Sequence, residues 1–185
     1  EPAAILSHMQ HLKNTGVKDV ILQTCLPIQN YPVFHDHEMD GILFHNGWVF
    51  NANLRKAQKE RLVSNIPQHS TSALRKTLDR LTYEGRRPVV MATVAPMDEH
   101  GYLSLSISAI YEMDLVKRGA FVLLEVNPNF PRTFGDTMIH ISQVDALVES
   151  DRSIPAVNPA PYTELDATIG KYVASLVEDG STIQL

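Results

Sequence analysis

At 185 residues, with 44% hydrophobic and 20% charged side chains, the chain has the size and composition of one globular domain with a sizeable core. Its formal charge of −5 is spread along the chain without a basic block, which speaks against nucleic acid as the main partner, since a phosphate-binding face gathers Lys and Arg. A single cysteine, Cys25, excludes an intrachain disulfide framework and fits a reducing, cytoplasmic setting; no apolar stretch approaches membrane-spanning length.

The chain opens with Glu1-Pro2 directly into a helix start rather than a leader, and the missing initiator Met is read as a missing natural N-terminus. From Pro2, Ile5, Met9 and Leu12 fall on one face and Gly16 closes the helix. "VKDVILQTC" reads as a short buried strand ending in an inert, buried Cys25. Residues 26–47 are punctuated by Pro27, Pro32, Gly41 and Gly47 and carry "ILFH" as a short strand. "NANLRKAQKERLV" reads as helix capped by Asn51 or Asn53, and residues 71–83 as a second helix with Leu74, Leu78 and Leu81 aligned. The basic groups along both helices, Arg55/Lys56/Lys59/Arg61 and Arg75/Lys76/Arg80, read as solvated faces.

"RRPVVMATVAP" holds a β-branched strand stopped by Pro96, followed by the loop "MDEHGYLSLS" and a helix near Ala109–Lys117. "AFVLLEV" is the next strand, and "TMIHIS" and "VDALVES" are further short apolar segments. Three prolines, Pro155, Pro159 and Pro161, make residues 151–162 an extended linker. Thr163 with Asp166 three residues on is a capping-box relative that opens a last helix with Leu165, Ile169, Val173 and Leu176 on one face. Gly180 ends that helix, and "STIQL" begins one more strand. Alternating helices and β-branched strands predict an α/β fold built on an open, mostly parallel sheet flanked by helices. Ligands of such sheets sit beyond the carboxyl ends of the strands, so the loops after Thr24, Val94 and Val126 should share one edge.

Three loops carry chemistry worth weighing. "FHDHEMD" offers His35, His37, Glu38 and Asp40 as metal ligands, but at no recognised spacing, and a polar surface loop is the preferred reading. In "APMDEHGYLSLS", Asp98 bonding its own backbone and Gly101 at positive φ would make a tight turn, the preferred reading; His100 beside carboxylates could instead move protons. Ser104, Ser106 and Ser108 lack the Gly-x-Ser-x-Gly setting of a hydrolase nucleophile. The stiff "EVNPNFPRTFGD" is either a crossover loop whose Arg132 pairs with a carboxylate or a crevice rim offering Asn127 and Asn129 to a polar substrate end, and both readings stand.

The segments "MDEHGYLSLS", "LEVNPNFPRTFGDTMIHISQVDALVE" and "IGKYVASLVEDGSTIQL", with Glu1-Pro2-Ala3 and "NIPQHS", resemble the N-terminal half of the acetyl-CoA hydrolase/transferase family, in its 4-hydroxybutyrate CoA-transferase branch. The resemblance runs along the whole chain. It implies one of two similar halves with the fold shared by CoA transferases and sugar-phosphate isomerases, a homo-oligomer, no tightly bound cofactor or metal, and coenzyme A thioesters and small carboxylates as substrates. It also implies ping-pong chemistry: a glutamate carboxylate attacks the thioester, and a glutamyl-CoA thioester then passes CoA to a second carboxylate. Backbone N–H groups of a glycine loop would stabilise the oxyanion.

That glycine loop would begin just after Leu185 and the nucleophilic Glu further on, so residues 1–185 are expected to be an N-terminal domain cut at both ends, inactive without its C-terminal domain. The chain itself is then expected to hold no catalytic residue, and neither Glu99 nor Glu125 fills that role. One wall of the substrate pocket is carried over to Gln184, then to Asn127, Asn129, Phe130 and Pro131, and last to Glu1. The rival readings are an acyl-CoA hydrolase of the same family, a stand-alone metabolite-binding α/β domain, and a metal-dependent hydrolase using His35 and His37.

Overall fold

Two separate parallel sheets carry the strands, each three strands wide, with a short antiparallel ribbon beside them. The structure, a computed structural model, describes all residues except Phe50, Gln68, His69, Ser108, Val157 and Leu185, together with the side chains of residues 70–74 and 76. It divides into two units, Glu1–Ser153 and Ile154–Leu185.

In the first unit, helix α1 (Ala3–His8) tightens into a 3₁₀ segment over Met9–Asn14, and Gly16 closes it at φ +78°. Strands β1 (Val20–Thr24), β2 (Leu43–Gly47) and β3 (Val63–Asn65) form the first sheet in the order β1-β2-β3, with Thr24 beside Gly47. Strand β3 lies partly in the stretch expected to be helical. The helix there is shorter, a 3₁₀ turn over Ala52–Leu54 followed by α2 (Arg55–Lys59). Asn51 is its cap, accepting from Leu54 N at 3.3 Å, whereas Asn53 donates to Ile28 O. Arg61 then takes φ +62°, turning the chain back so that Val63 pairs with His45. The basic side chains of this helix are exposed, as expected.

Helix α3 (Ser70–Tyr83) leads to the second sheet, β4 (Val89–Val94), β6 (Phe121–Val126) and β8 (Ala146–Glu149), with β6 central and all strands parallel. Helix α4 (Glu112–Lys117) precedes β6. Between these lies the ribbon of β5 (Tyr102–Ser104) and β7 (Met138–His140), antiparallel, in which Leu103 faces Ile139. Tyr102–Ser104 corrects the reading of "MDEHGYLSLS" as loop throughout. Three residues are too few for periodicity to register, and the strand exists because β7 pairs with it.

Each parallel sheet has its own core. Around the second, Val90, Val94, Val122 and Leu124 pack with Leu103, Leu105 and Ile139; around the first, Leu22 and Val63 pack with Leu6, Phe34, Leu54 and Ala57. Burying such a side chain stabilises the fold by about 1.5–3 kcal/mol, and the β-branched residues gain it in strands without straining χ1. Leu78 of α3 is buried at 4% exposure.

The turn after β4 follows the sequence expectation. Asp98 accepts from His100 N at 3.0 Å and Tyr102 N at 2.8 Å, and Gly101 sits at φ +83°. A Cβ on Gly101 would also meet His140 Nε2 at 3.0 Å. Gly101→Ala is therefore expected to lower stability by about 1–3 kcal/mol from the left-handed backbone alone, read as a lower urea midpoint at constant slope. An unchanged midpoint would show that the turn relaxes freely.

The second unit is an extended segment followed by α5 (Glu164–Ala174), which has no buried residue. Its capping box is complete: Thr163 Oγ1 accepts from Asp166 N, and Asp166 accepts from Thr163 N. The expected strand at "STIQL" is absent over residues 181–184. A strand needs a ladder partner, and the described residues of this unit hold no other strand. Among the described residues no helix is long and apolar enough to cross a membrane.

Candidate functional site

The carboxyl ends of β4 and β6 stand side by side, Val94 against Val126, so the two loops expected to share an edge do open together. The third expected loop follows β1 in the other sheet, and the start of the chain links it to this edge. Thr93 Oγ1, at the end of β4, donates to Glu1 O at 2.8 Å. The Glu1 carboxylate accepts from Ile28 N at 2.9 Å and Gln29 N at 3.2 Å, both in the loop after β1. Burial, and then the Glu1 carboxylate beside it, push the Tyr31 hydroxyl above its ordinary range; the residue is 2% exposed. From β6, Glu125 Oε2 accepts Ala4 N at 2.7 Å in the first turn of α1.

The proline-stiffened loop after β6 leaves this same edge. Asn127 is 1% exposed; its Oδ1 accepts from Asn129 N at 2.9 Å and its Nδ2 donates to Arg152 O at 2.8 Å. Asn129 Nδ2 donates to Asp151 O at 2.8 Å and Arg152 O at 3.2 Å. These amides hold the loop to residues 151–152. Phe130 is buried at 9% exposure, and Pro131 O accepts from Ser106 Oγ at 2.6 Å. Arg132 Nη2 pairs with Asp98 Oδ2, and its Nη1 donates to Pro96 O and Tyr102 O, each at 3.2 Å, which is the carboxylate pairing expected of a crossover loop. Arg132 and the asparagines thus pin a loop that stands at the strand edge.

A second group at the strand ends escaped sequence reasoning. Trp48, the only Trp in the chain, follows the last residue of β2, is 4% exposed and lies 5.1 Å from the Tyr111 ring. Cys25 is half-buried rather than buried; burial and then Glu112 hold its thiol above the ordinary range, so it stays protonated. Burial and Glu112 likewise raise the Tyr111 hydroxyl. A lone Trp directly after a strand-ending glycine was the available signal.

The remaining candidates are placed as follows. Ser104 Oγ donates to Thr133 O at 3.0 Å and Ser106 Oγ to Pro131 O, so both hydroxyls tie the end of β5 and the turn after it to the loop that follows β6; Ser108 lies outside the described residues. Asp36 caps the 3₁₀ turn at His37–Met39 and pairs with Lys13, His35 meets Asn30, and His37 Nε2 lies 3.4 Å from Glu60. Glu38 also pairs with Lys13, and among the described residues no three His, Cys, Asp or Glu side chains converge on a metal position. Glu1 and the Asn127–Pro131 loop share one strand edge, while Gln184 belongs to the second unit and is exposed. In "NIPQHS", Gln68 and His69 lie outside the described residues.

Residues 2–159 match the family model described as the acetyl-CoA hydrolase/transferase N-terminal domain. The succinyl-CoA:cyclohexane-1-carboxylate CoA transferase of Geobacter metallireducens is 36% identical over 140 residues, 76% of this chain and 31% of that protein. The 4-hydroxybutyrate coenzyme A transferase of Clostridium kluyveri is 38% identical over 104 residues, 55% of this chain and 24% of that protein. The matched region thus spans less than a third of either relative's own length. Among solved structures, RipA from Yersinia pestis superposes with a TM-score of 0.80 at 23% identity, over 98% of this chain and 43% of that one, a likeness of fold.

Proposed function

The chain belongs to the acetyl-CoA hydrolase/transferase family, and from that premise we propose that it is the N-terminal domain of an acyl-CoA:carboxylate CoA-transferase completed by a C-terminal domain. The observation that carries this reading is the pinned loop Asn127–Pro131 at the carboxyl edge of β4 and β6, where open parallel sheets take their ligands. Both relatives are named as CoA transferases, one of succinyl-CoA and cyclohexane-1-carboxylate and one of 4-hydroxybutyrate. The substrates proposed are acyl-CoA thioesters of the 4-hydroxybutyrate, butyrate or acetate type and a small carboxylate acceptor.

In this reading the nucleophile is a glutamate of the C-terminal domain. Its carboxylate attacks the thioester carbonyl and displaces CoA as thiolate, which returns to form a glutamyl-CoA thioester and frees the acyl group as carboxylate. The acceptor carboxylate then takes the CoA by the same two steps in reverse, so each exchange is split into easier ones. The residues described here bind and orient. Phe130, Pro131 and Glu1 shape the wall that Asn127 and Asn129 hold rigid, and a wall fixed before binding loses little entropy when substrate enters. Gln184 enters the same proposal through the family resemblance alone. A cytoplasmic homo-oligomer, with Cys25 reduced, completes the reading. The second reading is an acyl-CoA hydrolase, in which water takes the place of the acceptor, as the family's description admits.

The test is CoA transfer from butyryl-CoA and 4-hydroxybutyryl-CoA to acetate, by residues 1–185 and by the full-length gene product. Transfer by the full-length protein alone is the expected result. Turnover by residues 1–185 would place a nucleophile among them and overturn the assignment.

A further inference from the structure

We propose that Glu125 is a positioning residue: it grips α1 and thereby fixes the Glu1 segment across the carboxyl edges of both parallel sheets, setting the loop after β1 in the substrate wall. The inference rests on the CoA-transferase reading above. Glu125 is 1% exposed in the central strand β6, between Leu124 of the core and Val126. A carboxyl group there costs stability unless its oxygens are bonded, and an apolar residue of similar volume would serve a merely structural role at least as well. Its Oε2 instead accepts from Ala4 N at 2.7 Å and from Ile5 N at 3.4 Å. Helix α1 needs such a donor-satisfying group from elsewhere, because Pro2 at its N-cap supplies no side-chain bond.

The neighbouring strand grips the same segment one turn earlier. Thr93 stands directly across from Glu125 in the β4–β6 ladder and donates to Glu1 O at 2.8 Å. Two cross-strand neighbours thus hold residues 1 and 4–5 together. With its backbone fixed, Glu1 presents its carboxylate to Ile28 N and Gln29 N in the other sheet's loop. The opposite wall is tied to the same helix: Arg152, whose carbonyl holds Asn127 and Asn129, donates from Nη1 to Ser7 Oγ of α1 at 3.2 Å. Helix α1 therefore braces both sides of the edge, and Glu125 is the buried group that holds its first turn.

The experiment compares Glu125→Ala, Glu125→Gln and Thr93→Val in the full-length protein. It measures kcat and KM for acyl-CoA well below the unfolding temperature, per folded molecule, together with amide exchange of the peptides covering residues 1–8 and 26–31. Glu125→Ala is expected to lower kcat/KM by about 10- to 100-fold, the scale of a misplaced wall, and to speed exchange at Ile28 and Gln29 with β4 and β6 unchanged. Glu125→Gln keeps an acceptor oxygen and is expected to restore kcat/KM to within about threefold, because the bond rather than the charge does the holding. If Glu125→Ala does not fold, Thr93→Val carries the test, with the same exchange signature and a smaller loss of kcat/KM. Lower thermal stability with wild-type kcat/KM and wild-type exchange at Ile28 and Gln29 would overturn the inference. Should the wild-type protein transfer no CoA, the functional reading fails, and the exchange comparison still decides whether Glu125 positions that loop.

Discussion

Phe34→Ala is expected to lower the unfolding free energy by about 3–5 kcal/mol. Phe34 is 1% exposed, stands edge-on to Tyr31 at 5.8 Å between ring centroids, and lies 4.5 Å from the His45 ring. Its own element is a single 3₁₀ turn, Pro32–Phe34, which three residues cannot hold by local hydrogen bonds alone. Together with Tyr31 and Val33, the ring seats this turn in the first sheet's core. Urea unfolding followed by fluorescence of Trp48 reads the effect as a lower midpoint with unchanged slope. A loss below about 1 kcal/mol would mean that the neighbours close over the cavity and that the segment is held elsewhere.

Acid is expected to act through the same cluster. His45 is 1% exposed, its Nε2 meets Thr24 Oγ1 at 2.8 Å, and its Nδ1 has no hydrogen-bond partner among the described residues. Burial lowers its pKa from 6.5 to about 4. The folded state therefore excludes a proton that the unfolded chain accepts. The stability this neutral ring contributes is intact above about pH 6.5 and drains away as pH falls from there toward 4, a gap worth about 3 kcal/mol. Below that range Asp36 and Asp98 take over: backbone hydrogen bonds hold both carboxyls under their usual range, and protonating them removes the benefit. Unfolding free energy measured at several pH values between 7 and 4 gives the slope, and His45→Gln is expected to flatten it. A wild-type curve flat from pH 6.5 to 4.5 would show that the ring charges without penalty.

What was legible in the residues was whatever is decided locally. The β-branched runs gave β1, β4 and β6; Thr163 with Asp166 gave the cap of α5; Asp98 with Gly101 gave the turn after β4. Each of these depends on side chains within a few positions of one another, so a linear reading suffices. Pairing of Arg132 with a carboxylate was one of two readings of its loop, and its partner, Asp98, lies 34 positions away.

Pairing across the chain decided the rest. Strands β3, β5 and β7 have three residues each and exist through their neighbours, whereas residues 181–184 have strand composition and form none. That the Nδ2 groups of Asn127 and Asn129 donate to the carbonyls of Asp151 and Arg152 could not be read from their own segment. Glu125 reads as one polar residue in an apolar run. Only the fold brings it to Ala4, 121 positions earlier, because the cost of burying its carboxyl group is offset by amides that no local element could supply. The sequence by itself determined the family, the α/β class and the local caps and turns. Tertiary structure alone decided which buried polar groups brace the strand edge, since their partners are set by sheet packing and not by neighbours in the chain.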